Sequence, residues 1–193
     1  MCNFLSAIVL KSGEVLCDPA NTDSHEELIN KFNLSDGLKD SLFEKFARVE
    51  FVPPKDLNEI ADLDKWELKL DEKEAPSWWA EQHDVALSKL KSLVGLHVLS
   101  AGQHKELNDD WWVLAGSVVV DKVRGAAQIR YVCGNAKVGW IYGDAKVGGI
   151  FDNAKVGWIF GDAKVGWIFG NANVDRISGN AKVDEIFGNA KVD

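Results

Sequence analysis

Cysteine, proline and methionine are scarce in this chain of 193 residues, at three, four and one. Cys2, Cys17 and Cys133 are too few and too scattered for a disulfide framework or a thiolate zinc site. A reduced, cytoplasmic setting follows as the expectation. No run of about eighteen apolar residues occurs, so no membrane-spanning helix is expected. The first apolar stretch, Phe4 to Leu10, has neither a basic leader nor a small-residue cleavage site, and is not read as a secretory signal. Positive charge is short in the first part. Residues 1–115 hold 12 Lys+Arg against 22 Asp+Glu, a balance of −10, whereas residues 116–193 hold 10 against 8, a balance of +2. An acidic surface repels nucleic acid and membranes and attracts basic protein surfaces. Neither nucleic acid nor membrane is therefore expected as a partner. The apolar and charged fractions, 46% and 27%, exclude wholesale disorder.

A nine-residue repeat dominates what is present. From Gly134 the chain reads GNAKVGWIY, GDAKVGGIF, DNAKVGWIF, GDAKVGWIF, GNANVDRIS, GNAKVDEIF, GNAKVD. The frame extends back through GAAQIRYVC from Gly125 and GSVVVDKVR from Gly116. Position one is Gly except at Asp152, position three is Ala except at Val118, and positions five and eight are always Val or Ile. Positions three to five alternate small, polar and β-branched, the pattern of a strand with one buried face. Position eight must also point inward, and strict alternation would turn it outward. A turn is therefore expected at positions six and seven, at Gly139, Gly148, Gly157 and Gly166. A second turn is expected at positions one and two, where Gly-Asn and Gly-Asp accept positive φ. Short strands between identical corners make a β-solenoid. Two units per coil give eighteen residues, with each coil about 4.8 Å from the next and like residues stacked in ladders, including an Asn/Asp ladder at the corner. Roughly four coils and a rod about 20 Å long are expected. The Gly-Gly-x-Gly-x-Asp pattern of calcium-binding nonapeptides is missing, so no metal is expected.

Positions seven and nine flank the buried position eight and are expected to face out. They carry Tyr131, Trp140, Trp158 and Trp167, and Tyr142, Phe151, Phe160, Phe169 and Phe187. Rings in register make a large apolar surface of the kind that marks an interaction site, and Trp and Tyr are common interface anchors. Position four adds Lys137, Lys146, Lys155, Lys164, Lys182 and Lys191. These rings and lysines are the candidate binding residues. The repeats run to Val192-Asp193 without a capping helix, and an open coil exposes a strand edge. A homodimer through the uncapped solenoid is the corresponding expectation.

Residues 1–115 read as a small α+β domain. Ser6 to Leu10 and Glu14 to Leu16 form a hairpin around Ser12-Gly13. Ser24 caps a helix from His25 to Phe32, with Glu27 completing a capping box. Leu38 to Phe46 reads as a second helix. Arg48 to Val52 alternates and stops at Pro53-Pro54, and Lys65 to Leu70 alternates with Trp66, Leu68 and Leu70 on one face. Pro76 opens a helix carrying Trp78-Trp79 and Val85 to Val94. Trp111-Trp112 marks the joint to the solenoid. The expected fold is thus an α+β domain over 1–115, then an all-β solenoid over 116–193.

Catalytic candidates are few. Loss of Met1 would leave Cys2 with a free amine beside its thiol, the equipment of an N-terminal nucleophile. The alternative function is accordingly a small hydrolase using Cys2, with the solenoid as an assembly module. Of the four histidines, His25 and His83 fall on helices and His97 and His104 near a helix end, none with metal-ligand spacing. The recurrent glycines are architecture, not a phosphate loop. No cofactor is implied.

The opening Met1-Cys2-Asn3-Phe4, the segment Arg48-Val49-Glu50-Phe51-Val52-Pro53-Pro54, the stretch Leu63-Asp64-Lys65-Trp66, Pro76-Ser77-Trp78-Trp79 and the nonapeptides from Gly116 together resemble a group of uncharacterised phage and prophage proteins. In these, a short Met-Cys domain precedes tandem Gly-[Asn/Asp]-Ala-x-Val units. The resemblance implies a viral or mobile-element origin, action in the host cytoplasm, and binding of a host factor such as a defence component. A non-enzymatic binding protein that occludes a host protein is the leading functional expectation. Because stacked rings also suit sugars, a glycan ligand is a weaker one.

Overall fold

The computed structural model describes residues 4–34 and 45–192. The chain divides into two compact units. One comprises the residues up to Lys55 together with Asp62–Gly95, and the other comprises Asp56–Ala61 with Leu96 onward.

The first unit is built on a four-stranded antiparallel sheet. Strands β1 (Leu5–Leu10) and β2 (Val15–Leu16) form the expected hairpin, pairing Ile8 with Leu16. Gly13 takes φ 81° in the turn and donates its N–H to the Leu10 carbonyl. Strands β3 (Phe46–Val52) and β4 (Glu67–Leu70) complete the order β2-β1-β3-β4. Helix α1 (His25–Lys31) begins where Ser24 accepts the Glu27 N–H at 3.4 Å. Its Leu28 is fully buried against Ile8 and Phe46. Trp66 precedes β4, buried edge-on to Phe4 at 4.9 Å and 5.1 Å from the Phe51 ring. Helix α2 (Trp79–Gly95) buries Ala86, Leu90 and Val94, one stripe at four-residue spacing. Most of the expected helix Leu38–Phe46 lies outside the described residues. Phe46 itself opens β3, where it buries its ring under α1.

Arg48 on β3 binds Glu72 through two parallel 2.8 Å hydrogen bonds. These bonds, more than the simple attraction of the two charges, hold the Glu72 carboxyl below the usual carboxylate range. A depressed carboxyl contributes stability above its unfolded-state pKa and loses it as pH falls through the folded value. Acid titration of wild type should therefore show a loss of stability below about pH 4.5 that Glu72→Gln lacks. The difference should stay below about 1 kcal/mol, because the pair is partly exposed. Chemical denaturation across pH 3–7 measures it.

The second unit is the solenoid. Its strands are β5 (Val98–Leu99), β6 (Gln103–Asn108), β7 (Trp111–Leu114), β8 (Val119–Arg124), β9 (Gln128–Val132), β10 (Lys137–Ile141), β11 (Lys146–Ile150), β12 (Lys155–Ile159), β13 (Lys164–Ile168), β14 (Asn173–Ile177), β15 (Lys182–Ile186) and β16 (Lys191–Val192). They alternate between two parallel sheets: sheet I in the order β16-β14-β12-β10-β8-β6, sheet II in the order β15-β13-β11-β9-β7-β5. Lys137 pairs with Lys155 and Val147 with Val165, so one coil is eighteen residues, two repeats. About five coils result.

Two structural expectations change here. The parallel pairing begins at Val98, not at Gly116: β5 pairs with β7 and β6 with β8. The Gly-Asn-Ala signature is absent from 96–115, yet Leu107 and Leu114 are buried in the solenoid core and Leu99 and Trp112 pack against it. Inward apolar residues at suitable spacing suffice to add a coil, whatever fills its corners. The second change concerns the corners. Each repeat has one, not two. Position one takes positive φ throughout, from Gly116 at 56° to Gly143 at 75°, and Asp152 adopts 57° without being glycine. Positions six and seven stay inside a five-residue strand. The pairing skips position six, joining Val138 to Val156 and Trp140 to Trp158 but leaving out Gly139. This local irregularity lets both position five and position eight face inward. The glycines there are not left-handed; a Cβ on Gly157 would sit 2.6 Å from the Gly139 carbonyl oxygen.

Between the sheets lies one continuous core. Ala136, Ala145, Ala154 and Ala163 at position three, the valines at position five and the isoleucines at position eight are buried through Val174. At the corners, Asn180 donates to Asp162 at 3.1 Å, while Asn171 donates to Asn153 and Asn189 to Asn171 at 3.5 Å each, an amide ladder with the coil's period.

Candidate interaction faces of the solenoid

Because consecutive repeats alternate between sheets, the outward residues fall into two sets. Sheet I presents the position-seven column Lys122, Trp140, Trp158, Arg176, one residue per coil and in register. Sheet II presents Tyr131, Gly149, Trp167, Glu185. Trp158 and Trp167, neighbours in the repeat, thus lie on different sheets.

On sheet I, Trp140 and Trp158 are 45% and 46% exposed, high for residues of this size. The Lys122 ammonium lies over the Trp140 ring, 5.3 Å from its centroid, and the Arg176 guanidinium over Trp158 at 5.2 Å. The two indoles are therefore bracketed by cations, and Glu106 on β6 continues the column beyond Lys122. Beside them run Lys137 and Lys155 at position four, both exposed. Among the described residues the ion pairs of this unit, His97 with Asp110 and Arg124 with Glu106, involve neither lysine. Asp121 and Asp175 lie on the outer coils, β8 and β14, and the two middle strands carry no acid.

Sheet II differs. Trp167 is 50% exposed but has Gly149 as its neighbour one coil back. Lys146, Lys164 and Lys182 line a trench that also holds Asp144, Asp162 and Asn180, so here lysines and carboxylates alternate.

The position-nine rings do not face out as expected. They form two corner stacks. Tyr142 and Phe160 lie parallel at 4.9 Å; Phe151, Phe169 and Phe187 follow at 4.8 and 5.0 Å. Phe151 is buried at 2% exposure, with Tyr131 edge-on to it at 5.4 Å across the gap left by Gly149. Tyr142, Phe160 and Phe169 are half-buried, and Phe187 is exposed at the last complete coil. The corner directs position nine along the rod, where each ring covers the next. Of the candidate rings, then, Trp140, Trp158 and Trp167 stand out from the sheets, and the phenylalanines serve mainly as corner packing. The bracketing of the tryptophans by Lys122 and Arg176 was missed in the sequence. The signal was there: an eighteen-residue coil places residues 122, 140, 158 and 176 in one column.

The catalytic candidates resolve less favourably. Cys2 lies outside the described residues. Burial pushes the Cys17 thiol up to about 11, and the Cys133 thiol, also buried, up to about 12. Neither is a thiolate at neutral pH. In the first unit the fold brings His25 to Asp71, Nδ1 to Oδ2 at 3.2 Å. This pairing looks like half of a catalytic relay, but His25 Nε2 meets the Val49 carbonyl at 2.9 Å and the ring is buried. A carbonyl only accepts, so Nε2 donates to it and has no lone pair to activate a nucleophile. His25 instead fastens α1 to β3. Its replacement by Ala should cost about 1–3 kcal/mol of stability, because the Val49 carbonyl loses its partner while the half-exposed Asp71 is taken up by water, measured by urea denaturation. Among the described residues no group of three His, Cys, Asp or Glu could hold a metal ion. No helix among them is long and apolar enough to cross a membrane.

The fold and its exposed columns define a two-sheet β-solenoid with a cation-bracketed tryptophan pair on one face. Comparison with protein-family models, curated proteins and solved structures gave no match.

Proposed function

We propose that this is a non-enzymatic binding protein that engages a protein partner through the outer face of sheet I. The observation that carries the reading is the pair of half-exposed, in-register indoles, Trp140 and Trp158, each held by a cation. Large aromatic side chains kept in place at the surface are interface anchors. Holding them there in a soluble chain gains nothing for the solenoid core, which is already complete behind them. The resemblance to phage and prophage proteins makes a host protein the natural target and occlusion of its working surface the mode of action, in the host cytoplasm. Self-association through Ile186 and Phe187, each about half exposed, is a second contact compatible with this reading.

The test is a pull-down from host lysate with the full chain beside Trp140→Ser/Trp158→Ser, with light-scattering mass measured on both. Capture of one stoichiometric protein by wild type and its loss in the double variant, at unchanged thermal midpoint, is the expected result. Undiminished capture by the variant would remove sheet I as the site.

A further inference from the structure

We infer that the partner segment seated on sheet I is an acidic peptide carrying apolar side chains; this rests on the binding reading above and specifies its chemistry. The middle of the face is a block with one sign of charge. Lys137 and Lys155 stand in register on β10 and β12, Lys122 and Arg176 lie above and below the indoles, and no acid occupies the two middle strands. Four cations thus frame two tryptophans. The acids on this face, Asp121 and Asp175 at position six and Glu106 in register with Lys122, sit on the same flanking coils as Lys122 and Arg176 or one coil beyond; Glu106 is hydrogen-bonded to Arg124 and Asp175 to Asn173, which leaves Lys137 and Lys155 as the charges of the two middle strands. A complementary surface places carboxylates opposite the lysines and apolar groups opposite the indoles.

The geometry selects among anionic ligands. A nucleobase or a sugar ring binds an aromatic side chain by stacking on its face. Here one face of each indole is already covered by a cation, Lys122 on Trp140 and Arg176 on Trp158, so that face is closed to a stacking base or sugar. Sheet II lacks the arrangement, since its lysines share a trench with Asp144 and Asp162.

The experiment titrates the full chain with a random copolymer of glutamate and tyrosine, followed by tryptophan fluorescence, alongside oligothymidylate. Variants are Lys137→Glu/Lys155→Glu, the milder Lys137→Gln/Lys155→Gln and the Trp140→Ser/Trp158→Ser pair, each checked for an unchanged thermal midpoint. The expected result is saturable copolymer binding that weakens with salt. It should fall about tenfold or more in the Glu variant, less in the Gln variant, and be lost in the Ser variant. Oligothymidylate should bind far more weakly. Copolymer binding that is absent, or within about twofold of wild type in the Glu variant, overturns the inference. So does equal binding of oligothymidylate, or a dimer of wild type that becomes a monomer in the Glu variant, which would make the face a contact between copies. If the Glu variant keeps its lysate partner while the Ser variant loses it, the binding reading stands and the acidic-peptide inference alone fails. If the Ser variant also keeps it, the binding reading fails.

Discussion

Replacing Ile159 with Ala should lower the stability of the solenoid by about 2–5 kcal/mol, the range for large-to-small changes in a close-packed core. Ile159 is fully buried and stands in register between Ile141 and Ile177. The cavity would therefore open in the middle of a column, with intact backbone pairing on both sides to prevent collapse. The same change at Ile186 should cost far less, because that side chain is half exposed on the last complete coil. Urea denaturation followed by far-UV circular dichroism gives both numbers. Equal costs at the two sites would mean that the coils do not share one core.

The second large effect concerns a corner. Gly161 sits at φ +74°, and a Cβ there would lie 3.1 Å from the Gly143 nitrogen. A β-branched side chain is the least tolerated in this conformation. Gly161→Val should cost about 2–4 kcal/mol, combining left-handed strain with displaced backbone. Asp152 supplies the control. It adopts φ 57° at the equivalent position, and its carboxylate accepts the Gly134 N–H at 3.1 Å. Asp152→Gly relieves strain but loses that bond, so its stability should remain within about 0.5 kcal/mol of wild type. Thermal melts of the two variants separate the outcomes. A Gly161→Val protein as stable as wild type would show that the corner has freedom to reshape.

Much of the solenoid was legible because a repeat multiplies weak signals. One Ala-Lys-Val triplet is ambiguous, but six in frame fix the buried stripe, the coil length and the ladders. The period of nine also dictates that units alternate between two sheets, and hence that Trp140 and Trp158 share a face that Trp167 does not. The capped helix at Ser24 and the hairpin at Gly13 were legible for a different reason, since both depend on side-chain and backbone chemistry within a few residues.

Only the tertiary structure decided the rest. The first coils, from Val98, carry no repeat signature, and their place in the solenoid is fixed by parallel pairing to the coil that follows. Position nine was assigned outward by counting alternation along a strand. The corner breaks that alternation, and ring-on-ring packing between coils, as in Phe151 on Phe169, draws those side chains along the rod. His25 and Asp71, or Arg48 and Glu72, are far apart in sequence and have no local signature of their meeting. Sequence alone determined which residues repeat, and therefore which must be equivalent. The tertiary structure decided which of those equivalent residues are covered by their neighbours, because burial depends on what the next coil brings into contact.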